Sequence, residues 1–159
     1  MCPPYATSPR KPKALEPHSP QGCPLPGGII VAPNRVDRLL AEVEFQLEGL
    51  RRGFPVSVPI GDNAPYDLVV DGSEGLKRVQ VRGTKVFQNT RYQVTTGTGR
   101  ANTVKANAYD FLAVRIPVHE AWYVVPRAAL GFRSSVHFFP HNPKSKGQYE
   151  KYRDGFGQL

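Results

Sequence analysis

Two apolar runs joined by a short turn constrain the fold more than any other segment of the chain. Tyr66–Val70 is strongly apolar, Asp71-Gly72-Ser73-Glu74-Gly75 is turn chemistry, and Leu76–Arg82 alternates between apolar and polar residues. Short β-rich runs bounded by Gly, Asp and Ser read as strands, so the segment predicts an antiparallel hairpin. Side chains alternate faces along a strand. Val79 and Val81 therefore point toward a core, and Arg78, Gln80 and Arg82 point the other way. Asp67 heads the first strand, where a carboxylate is costly unless it has a partner or a task. Antiparallel pairing brings Asp67 close to Gln80 and Arg82.

One carboxylate, one amide oxygen and one fixed cation would then share a patch. Hard oxygen donors of this kind, few in number, suit Mg²⁺, which keeps several of its waters. The patch could hold such an ion beside a phosphate. An Asp–Arg ion pair on a solvated sheet face has the same spacing, and spacing alone leaves both readings open.

Upstream, Val36, Leu39, Leu40, Val43, Leu47 and Leu50 recur at helical intervals, predicting an amphipathic helix over 35–52. Asn34 is the expected N-cap, Asp37 supports the first turn, and Gly53 is the expected stop. Phe54–Pro59 reads as a strand and 61–65 as a loop. Further strands are expected at Arg91–Thr96, Phe111–Ile116, Trp122–Val125 and Val136–Phe139, and a basic polar loop at 97–107. Trp122 and Tyr123 sit in an apolar run and read as core. His137 and His141 flank strand-like residues with no acidic third ligand, so a zinc site is not expected. Residues 141–159 are basic with interspersed Tyr149, Tyr152 and Phe156, fitting a short helix packed by its rings. A helix followed by strands gives a mixed α/β domain over 34–159. Residues 1–33 hold more than half of the 16 prolines and few apolar residues, the composition of a disordered tail.

The chain carries 21 Lys+Arg against 13 Asp+Glu, a formal charge of +8 in 159 residues. A surplus of this size fits a polyanionic partner, nucleic acid first, although a basic surface without a partner is also compatible. No stretch nears the ~18 consecutive apolar residues of a membrane span. No secretory signal is recognisable at the N-terminus. Cys2 and Cys23 are too few and too far apart for a disulfide framework or a zinc site, so a cytoplasmic, reducing location is the default.

The run Gly61-Asp62-Asn63-Ala64-Pro65-Tyr66-Asp67-Leu68-Val69-Val70, then Leu76-Lys77-Arg78-Val79-Gln80-Val81-Arg82, resembles the PD-(D/E)XK endonucleases. It is most similar to the branch of group I intron-associated homing endonucleases, and more distantly to archaeal Holliday junction resolvases. Ala41-Glu42 in the helix, Tyr109–Val114, Trp122–Pro126 and Tyr149–Arg153 extend the likeness over roughly 36–156. The resemblance implies a restriction-endonuclease-like α/β core, a mixed sheet flanked by helices. It implies a metal-dependent DNA endonuclease using Mg²⁺ or Mn²⁺.

In that family's pattern Asp67 is the first acid and a metal ligand. Gln80 takes the second acid position, and the Val81 carbonyl is a further ligand. Glu42 approaches from the helix, directly or through water. An exposed helix glutamate is its plain alternative, and Glu44 is the rival if the register shifts. The family's lysine is Arg82 here. Its guanidinium stays protonated, so it can stabilise charge but cannot act as a general base. Lys85 is the nearby ammonium. The departure keeps a second reading open, a weak or inactive homologue that binds nucleic acid on the nuclease fold. DNA contact is expected from Arg78, Arg91, Arg100, Lys105, Lys144, Lys146, Lys151 and Arg153, each of which could equally be an ordinary solvated charge. Cutting both strands of a duplex would call for two sites, hence a homodimer or larger.

Overall fold

The computed structural model describes residues 33–61, 63–96, 108–131 and 133–159. The expected Pro-rich tail, and the loop with Arg100 and Lys105, lie outside the described residues.

The hairpin forms where its turn chemistry places it. Strand β2 (Leu68–Gly72) pairs antiparallel with β3 (Gly75–Gly83), with Leu68 opposite Val79 and Gly72 opposite Gly75. Gly75 takes φ +94°, which L side chains rarely adopt. A short outer strand β1 (Val56–Ser57) pairs with β2, shorter than the run 54–59 suggests. On the other side β3 pairs parallel with β6 (Phe111–Ile116), which pairs antiparallel with β7 (Ala121–Pro126). The result is a mixed five-stranded sheet in the order β1-β2-β3-β6-β7.

Alternation sorts the inner strands into two cores. Val79, Val81, Phe111, Ala113, Trp122 and Val124 pack on one face with Ala41 and Phe45 of helix α1 (Pro33–Arg51). Leu112, Val114, Ile116, Tyr123 and Val125 pack on the other. That second face is covered by a three-stranded antiparallel sheet, β4 (Phe87–Gln88), β5 (Arg91–Thr95) and β8 (Ser135–Phe138), through Tyr92, Val94, Val136 and Phe138. The β4–β5 hairpin turns through Asn89 and Thr90, both at positive φ. Without a glycine at the turn, sequence patterning gives little sign of it. A single helical turn, α2 (Arg127–Leu130), follows β7.

Trp122 and Tyr123 are core residues, as their run suggests. The C-terminal segment forms two 3₁₀ turns rather than an α-helix, with Tyr149 and Phe156 buried.

Helix α1 begins at Pro33, before the expected Asn34 cap, and ends at a positive-φ Gly53. Its packing face is made of Ala41, Phe45 and Gly49. The larger residues that set its period, Val36, Leu39, Leu40, Val43, Leu47 and Leu50, lie on the exposed face. Close approach to the sheet explains the choice. A Cβ at Gly83 would stand 2.9 Å from the Asp37 carbonyl oxygen, and one at Gly49 would stand 2.8 Å from Val56. Only small residues and one deeply inserted ring fit there.

Candidate active site

Asp67 sits immediately before β2, held by its own N–H donating to the Val79 carbonyl at 3.0 Å. Its side chain is only 8 % exposed. A carboxylate so buried needs compensation, and four groups supply it. The Gln80 amide nitrogen donates to Oδ2, as does the Val81 N–H at 2.7 Å. Arg82 Nη1 reaches Oδ2 at 3.3 Å. Arg38 Nη2, from α1, donates to Oδ1 at 2.5 Å. The expected neighbours Asp67, Gln80, Val81 and Arg82 are therefore brought together at one carboxylate.

Alternation explains the grouping. Val79 and Val81 point into the α1-side core, which turns Gln80 and Arg82 away from it. Arg82 also donates to the Val81 carbonyl at 2.8 Å, so one guanidinium bridges the two oxygen groups of this patch. Burial lowers the pKa of Arg82 and Asp67 opposes that effect. Arg38 moves the other way: burial lowers its pKa, but Asp67 and Glu42 together outweigh this and raise it.

Glu42 joins the group through Arg38, whose Nε donates to it at 2.9 Å. Glu44, the rival in register, instead accepts from Arg115 at 2.6 Å. Arg38 was not among the residues singled out from sequence. The available signal was its position four residues before Glu42, which puts both on one face of the helix. The close crossing at Gly83 brings that face to Asp67. Near Arg82, the Tyr109 hydroxyl is buried without a hydrogen-bond partner among the described residues, and burial raises its pKa.

Other candidates lie elsewhere. Lys85, expected near the site, turns to Asp37 at 2.7 Å rather than to Asp67. Strand β3 ends at Gly83, so Lys85 no longer follows the alternation that aims Arg82. Arg78 lies on β3 but is gripped by Asp110, with Nη2 to Oδ1 at 2.9 Å and Nε to Oδ2 at 3.1 Å. Lys144, Lys146, Lys151 and Arg153 are exposed, and Arg91 is half-exposed on β5. Lys151 stands over the Tyr152 ring, and Arg153 donates to the Pro140 carbonyl.

The donors fit a hard divalent cation in kind: one carboxylate at Asp67, a second at Glu42, the Gln80 amide and the Val81 carbonyl are all oxygen groups. Among the described residues no cluster of three or more His, Cys, Asp or Glu side chains is present, so the acidic share of such a site is two carboxylates. No helix among the described residues is long and apolar enough to cross a membrane.

Comparison with known proteins gives two positive findings. Residues 39–158 match the family described as PD-(D/E)XK endonuclease. The fold is similar to the solved structure of a bacterial homing endonuclease, I-Ssp6803I, with TM-score 0.70 and 25 % identity, covering 80 % of this chain and 93 % of that one. The mixed five-stranded sheet with α1 packed on it is thus a restriction-endonuclease-like core. No curated protein matches the chain in sequence.

Proposed function

The chain belongs to the PD-(D/E)XK endonuclease family, and from that premise we propose that it is a DNA endonuclease that hydrolyses phosphodiester bonds at Asp67. One observation carries the reading. Gln80, Val81 and Arg82 from β3, and Arg38 from α1, all converge on this nearly buried carboxylate. A sheet that needed only a structural ion pair would require one of them.

Asp67, the Gln80 amide oxygen and the Val81 carbonyl would hold Mg²⁺ or Mn²⁺, with Glu42 contributing through water. Bound there, the metal supplies a lowered pKa for water and neutralises phosphate charge. The protein's own part is positional and electrostatic. The Gln80 amide donates to Asp67 and presents its oxygen by rotating about its last bond. Arg82 and Arg38 are fixed positive charges beside the carboxylate, placed to grip a phosphate and to stabilise charge developing on it. Neither acts as a base. In the hydrolysis a water oxygen bonds to phosphorus as one ester P–O bond breaks; the water gives up a proton to solvent and the leaving alkoxide takes one from it, so the products are a phosphomonoester and an alcohol. Lys144, Lys146, Lys151, Arg153 and Arg91 would meet backbone phosphates, giving affinity that falls steeply with salt.

The test is cleavage of supercoiled plasmid and branched DNA with Mg²⁺ or Mn²⁺. Wild-type protein should nick or cut, and Asp67→Ala should not. Equal cutting by both would remove Asp67 from the chemistry. One observation favours a second reading, a nucleic-acid-binding protein without catalysis: Arg82 occupies both Asp67 and the Val81 carbonyl, where the metal would sit. Calorimetric titration with Mn²⁺ separates the two. Binding that disappears in Asp67→Ala supports the enzyme; salt-sensitive DNA binding without metal binding supports the alternative.

A further inference from the structure

Six large apolar side chains on α1 take no part in the core or the site. Val36, Leu40, Val43, Leu47 and Leu50 follow at intervals of four, three, four and three residues, with Leu39 beside them. All six are 39–60 % exposed, and they make up half of the twelve large apolar side chains left exposed among the described residues. Alternating spacings of three and four are the a/d repeat of a helix that packs lengthwise on another helix. A helix resting on a sheet does not need it, and α1 already meets its sheet through Ala41, Phe45 and Gly49.

We infer that this stripe is the contact surface for a second copy of the chain, whose α1 packs antiparallel against it across a twofold axis. Area is the first argument. With each side chain about half exposed, the stripe is several hundred Å², at the upper end of what a monomer leaves contiguous. Two such faces together bring about 1,000 Å², the size a specific interface clears. A 19-residue helix offers enough length for several interlocking layers. A twofold contact uses the same patch on both copies, and this one is apolar throughout and so self-complementary.

Charge sets the direction. Asp37, Glu44 and Arg51 lie seven residues apart along one flank of the stripe. Glu44 is held by Arg115, Asp37 pairs with the exposed Lys85 and Arg51 has only a 3.9 Å contact to Glu48, so the flank runs from a carboxylate at Asp37 to a guanidinium at Arg51. Antiparallel packing lays the acidic end of one copy beside the basic end of the other, and it opposes the helix dipoles. On the same flank, a cavity of about 190 Å³ between Leu40, Thr84, Lys85 and Pro117 offers room for an aliphatic side chain of the second copy. Such a dimer stands whether or not the cleavage reading does. Where that reading holds, each copy brings one Asp67 site to a duplex.

Sedimentation equilibrium of the full chain, without DNA or metal, tests the inference. The wild type should weigh two chains, or an even multiple, at micromolar concentration. Leu40→Gln combined with Leu47→Gln should weigh one chain, with association weakened on the order of 100-fold and circular dichroism unchanged. Ile60→Gln, at a fully exposed apolar residue elsewhere, should leave association intact. Asp37→Arg should weaken the dimer several-fold, and adding Arg51→Asp should restore it.

A wild type of single-chain mass at every concentration would overturn the inference. So would a dimer that survives the double glutamine change. A wild type of single-chain mass whose melting temperature falls after that change would show the chain's own N-terminal residues on the stripe instead, which also overturns it. Failure of the Arg51→Asp rescue would overturn the antiparallel arrangement. None of these masses depends on DNA cleavage, so a failed cleavage assay leaves them unaffected.

Discussion

Strand β3 carries arginines to two carboxylates, and the two sites are built differently. At Asp110, one partner does nearly all the work. Arg78 supplies a two-point guanidinium grip and its own backbone N–H, in a pair with each side chain 36 % exposed. At Asp67, donors come from an amide, a backbone N–H and two arginines on separate elements, and the carboxylate is almost buried. The first is a closed exchange between two groups. The second gathers more donors and positive charge than one carboxylate requires. Ion pairing is common to both carboxylates; convergence from independent elements on a buried group is what sets Asp67 apart and underlies the proposed site.

Exchanging residues between the two sites can break this contrast. Asp67→Ala should reduce cleavage by a hundredfold or more, whereas Asp110→Ala should leave the rate within a few-fold. Equal losses in a plasmid-nicking time course would erase the distinction. Arg82→Lys comes next. It removes the bridge between Asp67 and the Val81 carbonyl and returns the family's ammonium, so cleavage should rise several-fold. A loss would show that the planar guanidinium is needed. Arg38→Ala should lower cleavage about tenfold by removing the helix-borne cation at Asp67. Single-turnover rates at saturating metal measure it.

Arg78→Ala should cost about 1 kcal/mol of stability, the scale of a partly exposed pair, without a matching loss of rate. Urea unfolding gives that number. The Arg78 hydrogen bond is the main reason Asp110 titrates below the usual carboxylate range, against the opposing effect of partial burial. A carboxyl whose folded pKa is depressed contributes stability above its unfolded value, near 4, and loses it as pH falls through the folded one. Unfolding free energy should therefore drop less on acidification below about pH 4 in Asp110→Asn than in wild type. The smallest effect belongs to Lys85→Ala. Paired to Asp37 and away from Asp67, it should change cleavage less than twofold.

Much of this architecture was legible in local pattern. The turn at 71–75 forces a hairpin. Alternation in Val79-Gln80-Val81-Arg82 then decides which side chains can meet Asp67, because a strand leaves only two faces to choose from. The apolar runs at 111–116 and 121–126 announce central strands. The parallel pairing of β3 with β6 was not announced, since strand patterning carries no partner or direction. Nor was the second sheet on the Tyr123 side, whose first hairpin turns on Asn89 and Thr90 without a glycine.

The sequence by itself determined the longer strands, their alternation, the position of Asp67 and the period of α1, because these depend on side-chain chemistry within a few residues. Tertiary structure decided which face of α1 is buried. The close crossing at Gly83 and Gly49 admits only Ala41 and Phe45, leaving the leucine face exposed against the usual expectation for an amphipathic helix. The same crossing delivers Arg38 and Glu42 to a carboxylate 29 and 25 residues away along the chain. It also leaves Lys85 to Asp37. Those outcomes depend on the distance between a helix and a sheet, which no local pattern encodes.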